Sequence, residues 1–276
     1  MRLFASAGSA SPEFYALADR AIGLQTGTDV EPHLIFSILK AFYDSGHARP
    51  KLFIKLQQAV IKVMDRLPVN ELAAVVRLYV EMDVQQASFY EQVARNLERR
   101  LSEISEDGLL NALIAFKQCS THKQMSIVTD LERILLGNIG ALQIQSLSQV
   151  LYTYSRVGDD SRKNRKLTDT VLNQLLVGLE SGMELSPADI FQTVIALSKE
   201  EGSERVLEGL RIALRNLPEA VGAYQDTELN MLFSLVSEWQ GKHEGFDEAF
   251  AAVRDEVRLR QSQGDGRGGA GEGMPY

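Results

Sequence analysis

Five cations crowd eleven residues of this chain: Arg156, Arg162, Lys163, Arg165 and Lys166, in the segment SRVGDDSRKNRKL. A cluster of this kind can hold a phosphate backbone by Coulomb attraction and counterion release. It equally suits an acidic protein partner, or a plainly solvated connection, and the residues alone leave all three readings open. A second group is Arg95, Arg99 and Arg100. Arg95 and Arg99 are four apart and so share one helix face, although Glu91 and Glu98 dilute their charge. A third, Lys51, Lys55 and Lys62, has the spacing of the polar face of an amphipathic helix, which is ordinarily a solvated face. Most Phe and Tyr residues fall on apolar stripes rather than among these cations, so the sequence offers no stacking platform for bases.

Groups able to do covalent or metal chemistry are scattered. His33, His47, His122 and His243 are far apart, and none has a partner at metal-ligand spacing. Asp159 with Asp160, and Glu200 with Glu201, read as solvated turn charges. The glycines from Gly264 to Gly273 lack the flanking strand and helix of a nucleotide-binding fold. Cys119 is the only cysteine, which excludes an intrachain disulfide and fits a reducing compartment. It follows Phe116 near the end of an apolar helix and reads as a passive thiol. No catalytic constellation emerges, so the expectation is a protein that is not an enzyme, with no cofactor, no metal and no small-molecule substrate.

The elements that must carry these residues follow from an apolar pattern with a period near 37 residues. It recurs from Ile35, Leu72, Leu110, Leu147, Ile190 and Leu229. The spacing widens to 43 residues after the fourth copy, where the cationic segment lengthens the connection. In the second copy Leu72, Val75, Val76 and Tyr79 repeat at helical spacing, and Phe89, Tyr90, Val93, Leu97 and Leu101 form a second stripe. Asn70, Ser88, Asp107, Ser146, Ser186, and Asp226 or Thr227 are the N-caps this reading expects. Each copy is thus a helical hairpin. Phe14, Tyr15, Ala18 and Arg20 match the second helix of a copy, so the array opens with half a repeat. Period-two alternation is essentially absent. The expected fold is all-α, a right-handed α-solenoid of about six hairpins plus the N-terminal half repeat, with thirteen helices in all.

Three segments divide the chain. Residues 1–11 contain Arg2, several Ala and Ser and no acid, a composition shared by short organellar transit peptides and flexible N-termini. Residues 12–260 hold the repeats, and residues 261–276 form a Gly-rich tail without an apolar stripe, expected to be disordered. The net charge of −8 is unevenly placed. Residues 186–276 carry 9 Lys/Arg against 16 Asp/Glu, so a nucleic-acid surface belongs in the first two thirds. No run of apolar residues is long enough for a transmembrane helix, so no membrane is expected among its partners.

The segments PVNELAAVVRLY, SFYEQVAR and SEDGLLNALIAF resemble the heptatricopeptide-like helical repeats of FASTK/RAP-type proteins of mitochondrial RNA metabolism, over about residues 11–260. That resemblance implies a mitochondrial scaffold in an RNA-processing, RNA-editing or ribosome-associated complex. Its partners would be other protein subunits, with RNA at the basic loop. A C-terminal RAP domain is not seen after the repeats, which argues for a scaffold without that module. The alternative is a general protein–protein scaffold, cytoplasmic or organellar, with no RNA contact.

Overall fold

The structure, a computed structural model, describes residues 31–119, 126–156, 164–200, 203–239 and 246–265. The expected transit peptide, the N-terminal half repeat and residues 266–276 of the tail lie outside them, as do His122, Asp159, Asp160, Arg162, Lys163, Glu201 and His243.

Among the described residues the regular structure is entirely helical. The chain forms two compact units, residues 1–138 and 139–276. In the first, helices α1 (Pro32–Asp44), α2 (Pro50–Val63), α3 (Val69–Glu81), α4 (Ala87–Glu98), α5 (Glu106–Gln118) and α6 (Ser126–Asn138) pair in order as α1–α2, α3–α4 and α5–α6. The leading helices pack in the row α1–α3–α5 and the trailing helices in the row α2–α4–α6.

The second unit repeats the scheme with α7 (Ile144–Ser155), α8 (Arg165–Glu180), α9 (Pro187–Leu197), α10 (Glu204–Arg215), α12 (Asp226–Trp239) and α13 (Asp247–Asp265). Its rows are α7–α9–α12 and α8–α10–α13. A four-residue helix, α11 (Leu217–Ala220), interrupts the connection between α10 and α12. The sequence pattern did not anticipate α11, because one turn is too short to show a period. The last helix also runs on to Asp265, past the Arg260 at which the apolar stripe ends.

The stripes form the core. Phe42, Tyr79 and Phe116 recur at the 37-residue period and are each at most 2% exposed, and Tyr154 takes the same place in the fourth copy. Tyr79 packs edge-on to Phe53 at 5.1 Å and donates its hydroxyl to the Phe53 carbonyl at 2.8 Å. The ring thus fills apolar space while its one polar group is satisfied. Helices α1, α3 and α8 end in the same left-handed turn, at Gly46 (φ 70°), Asp83 (φ 53°) and Gly182 (φ 79°). Bonds from His47 N–H to Phe42 O and from Val84 N–H to Tyr79 O close the first two turns and satisfy the terminal carbonyls.

Helix starts correct several expected caps. Helix α3 begins at Val69 behind Pro68, which leaves Asn70 inside the first turn. Gln86 rather than Ser88 precedes α4, Ser105 rather than Asp107 caps α5, and Gln143 rather than Ser146 precedes α7. Ser186 does cap α9, in a reciprocal capping box with Asp189 and with Pro187 at the first helical position.

Within each unit, hydrogen bonds tie neighbouring hairpins at about one period. His33 meets Glu71 at 3.1 Å, Arg77 donates to Asn111 at 2.9 Å, and Ser105 N–H donates to Asn70 at 2.9 Å. In the second unit Tyr224 donates to the Pro187 carbonyl at 2.8 Å, and within the last hairpin Arg260 of α13 donates to the Tyr224 carbonyl at 2.8 Å. From the fourth copy to the fifth the partners are Ser148 with Thr193 (45 residues apart) and Lys199 with the Ser155 carbonyl (44 apart). The longer separation accompanies the longer connection, so the packing stays in register although the loop has grown.

Candidate nucleic-acid interface

Arg165 and Lys166 form the first turn of α8, and both are exposed. Asn164 starts the helix by accepting from the Leu167 N–H at 3.2 Å. The N-terminus of a 16-residue helix already carries a positive partial charge. Two cations there oppose the dipole and cost the helix a few tenths of a kcal/mol. They also add to the same field, so an approaching phosphate meets the helix terminus and both side chains together.

Arg156 sits at the C-terminal end of α7, where the cationic connection leaves the helix. Its guanidinium lies 5.5 Å from the centroid of the Tyr152 ring and donates to the Tyr152 hydroxyl at 3.1 Å. Behind Tyr152 stands Phe191, with ring centroids 5.9 Å apart, and beyond it Tyr224 at 6.1 Å. Arg156 is therefore laid against an aromatic row formed by Tyr152 of α7, Phe191 of α9 and Tyr224 in the turn before α12. This modifies the expectation that aromatics stay apart from the cations.

Sequence reasoning missed Lys199. It is exposed, and its ammonium donates to the Ser155 carbonyl at 3.2 Å, which brings another cation to the end of α7 that carries Arg156. The two are more than 40 residues apart in sequence, so no local pattern signals the juxtaposition.

Arg95 and Arg99 belong to the first unit. Both are exposed, and they share a face where α4 ends. Arg99 forms an ion pair with Asp65 at 3.2 Å, and the buried amide of Asn96 donates to the same carboxylate at 2.5 Å. Arg100 is turned inward instead, donating to the Met64 carbonyl and to Asn96, both at 3.4 Å, and pairing with Glu103. The expected arginine group thus divides into two outward residues and one that fastens α4 to the turn after α2.

A cavity of about 190 Å³ lies between α12 and α13, lined by Asp226, Leu229, Asn230, Val257, Arg260 and Gln261. Its one cation, Arg260, is engaged by Asp226 at 2.9 Å, Glu256 at 2.7 Å and the carbonyls of Tyr224 and Gly222. These bonds hold α13 to the turn before α12. Cys119 is buried, with its sulfur 3.8 Å from Gln85 Oε1. Among the described residues no group of three or more His, Cys, Asp or Glu is placed to hold a metal ion, and no helix is long and apolar enough to cross a membrane.

No known family model matches the chain, and no curated protein matches it.

Proposed function

We propose that this protein is a non-catalytic helical-repeat scaffold, a right-handed α-solenoid of about six hairpins of roughly 37 residues with an N-terminal half repeat. Its place is in a mitochondrial RNA-processing, RNA-editing or ribosome-associated complex. The observation that carries the architectural part is the set of side-chain bonds between residues one period apart, since in a repeat array each unit contacts chiefly its neighbours. The organellar part rests on the FASTK/RAP-type pattern of PVNELAAVVRLY and SFYEQVAR and on the acid-free first eleven residues. The basic connection supports RNA contact through Arg156, Arg165 and Lys166, together with Arg162 and Lys163 from the sequence. A second reading, a general protein–protein scaffold with no RNA contact, draws on the net charge of −8, which opposes a phosphate backbone away from local basic patches.

Affinity purification of the full chain from native mitochondria, with and without RNase, separates the two. The proposed role expects RNA-processing or ribosomal proteins to co-purify. Their persistence after RNase marks a protein scaffold, and their loss marks attachment through RNA. If no such protein is recovered in either arm, the organellar RNA role is wrong and the general scaffold takes its place.

A further inference from the structure

Two segments of the chain place adjacent cations three and two residues before a hydroxyl, with a leucine between: Arg99-Arg100-Leu101-Ser102 and Arg165-Lys166-Leu167-Thr168. Protein kinases whose substrate groove is lined by carboxylates read this pattern by charge, since a guanidinium fork pairs with a carboxylate. The sequence does not choose between the two segments, but the structure does. Thr168 lies in the first turn of α8, and its hydroxyl donates to the Asn164 carbonyl at 3.2 Å and to the Arg165 carbonyl at 3.0 Å. Leu167 beside it is fully buried. Presenting Thr168 to an enzyme in extended form therefore costs the start of the helix and a core side chain.

Ser102 differs in each respect. It is the middle residue of a single 3-10 turn, Leu101–Glu103, between α4 and α5. It is exposed, and among the described residues no hydrogen bond holds its hydroxyl. None of residues 99–105 is buried. Ile104 is already extended, at φ −78° and ψ 130°. The turn is closed by bonds from Glu103 N–H to the Arg100 carbonyl at 3.0 Å and from Ile104 N–H to the Leu101 carbonyl at 3.3 Å. Opening so short a turn uncovers no core. Both arginines are held lightly. Arg99 pairs with Asp65, but the two side chains are 68% and 72% exposed, and an ion pair so open to solvent is weak. The bonds of Arg100 to the Met64 carbonyl, Asn96 and Glu103 are all 3.4 Å, longer than a normal hydrogen bond. Carboxylates of an enzyme groove can replace these partners at little cost.

We propose that Ser102 is a phosphorylation site for a serine kinase that selects arginine before the acceptor. The inference is independent of the RNA reading. In the transfer, Ser102 Oγ bonds to the γ-phosphorus of ATP as the bond from that phosphorus to the β-phosphate oxygen breaks. ADP leaves, and the hydroxyl proton passes to a carboxylate base of the kinase. Arg99 and Arg100 are the residues that hold the segment in the enzyme groove. The product adds about two negative charges at pH 7 to the connection between α4 and α5, beside the same two arginines in sequence.

The test incubates the folded full chain with Mg-ATP and the catalytic subunit of cyclic-AMP-dependent protein kinase, and maps the modified residues by mass spectrometry. One phosphoryl group on Ser102 is expected, with Thr168 unmodified, and Ser102→Ala should lose that uptake. Arg99→Gln should lower kcat/KM for the kinase about tenfold or more, the loss of one charge-assisted contact. Circular dichroism at the assay temperature verifies that each protein is folded, and the exposed position of Arg99 keeps the thermal midpoint of its variant near that of wild type. A map in which Ser102 is unmodified overturns the proposal, whether the phosphoryl group sits on Thr168 or nowhere. A peptide of residues 95–106 separates the causes of such a failure. If the peptide is modified and the folded chain is not, the turn withholds the serine. If neither is modified, the arginine pair is not recognised. Unchanged kcat/KM in Arg99→Gln also overturns the proposal, because recognition then does not run through the arginine.

Discussion

Lys117 and Glu132 show how far a residue's role departs from its type. In sequence each looks like a surface charge. In the structure they meet at 2.7 Å between α5 and α6, with their side chains only 8% and 10% exposed. Two ions removed from water are costly to bury, and their mutual attraction offsets that cost only while both are present. Lys117→Met or Glu132→Leu alone should destabilise the protein by about 3–5 kcal/mol, because the remaining buried charge loses the ion pair that offsets its burial. Lys117→Met/Glu132→Leu together should cost much less than the sum, as read from urea midpoints. Additive losses would show that the pair does not act as a unit. The cations of α8 and α2 are legible as charges in the sequence. Arg100 and Lys199 are not legible in their roles, since each is defined by a carbonyl on another element, at Met64 and Ser155.

At the scale of elements, Asn70 couples α3 to the start of α5. Sequence pattern made it a helix cap, but Pro68 starts α3 a turn's fraction earlier and frees the Asn70 amide to accept from the Ser105 N–H. Helix α5 comes close enough there that a Cβ on Gly108 would overlap the Asn70 side-chain oxygen and crowd Ile104. Gly108→Ala gains about 1 kcal/mol in helix propensity but must displace Asn70. A net loss of about 1–2 kcal/mol is expected from such overpacking. In an Asn70→Ala background the same substitution should become neutral or stabilising. Thermal melts of the four proteins read this directly, and an equal penalty in both backgrounds would refute the steric coupling. Helix existence was legible because apolar residues at 3.6-residue spacing are a local signal. Cap identity was not, because Ser and Asn near a helix start compete for several backbone and inter-helix partners.

Across the whole molecule, tyrosines set an alkaline limit on stability. Burial is the main cause that pushes the phenols of Tyr79, Tyr90 and Tyr224 well above their ordinary value. Tyr43 is pushed up to about 12, by burial and by its hydrogen bond to Glu81. An acid whose folded pKa is raised holds its proton in the native state after the unfolded chain has released it. From about pH 10 upward the unfolded state therefore binds fewer protons, and stability falls as pH rises. Urea midpoints should be level below about pH 9 and decline beyond about pH 10. Tyr79→Phe should cost about 1 kcal/mol at neutral pH, through loss of its bond to Phe53, and should flatten that decline. A midpoint that stays constant through the alkaline range would contradict this account. The sequence by itself determined the all-helical class, the hairpin pairs and the 37-residue recurrence of Phe42, Tyr79 and Phe116, because each depends on the local period of apolar residues. Only the tertiary structure decided which charges are spent in holding hairpins together and which remain on an outer face. That choice depends on how closely neighbouring helices approach, and groups some 31 to 45 residues apart meet only once the backbones have packed.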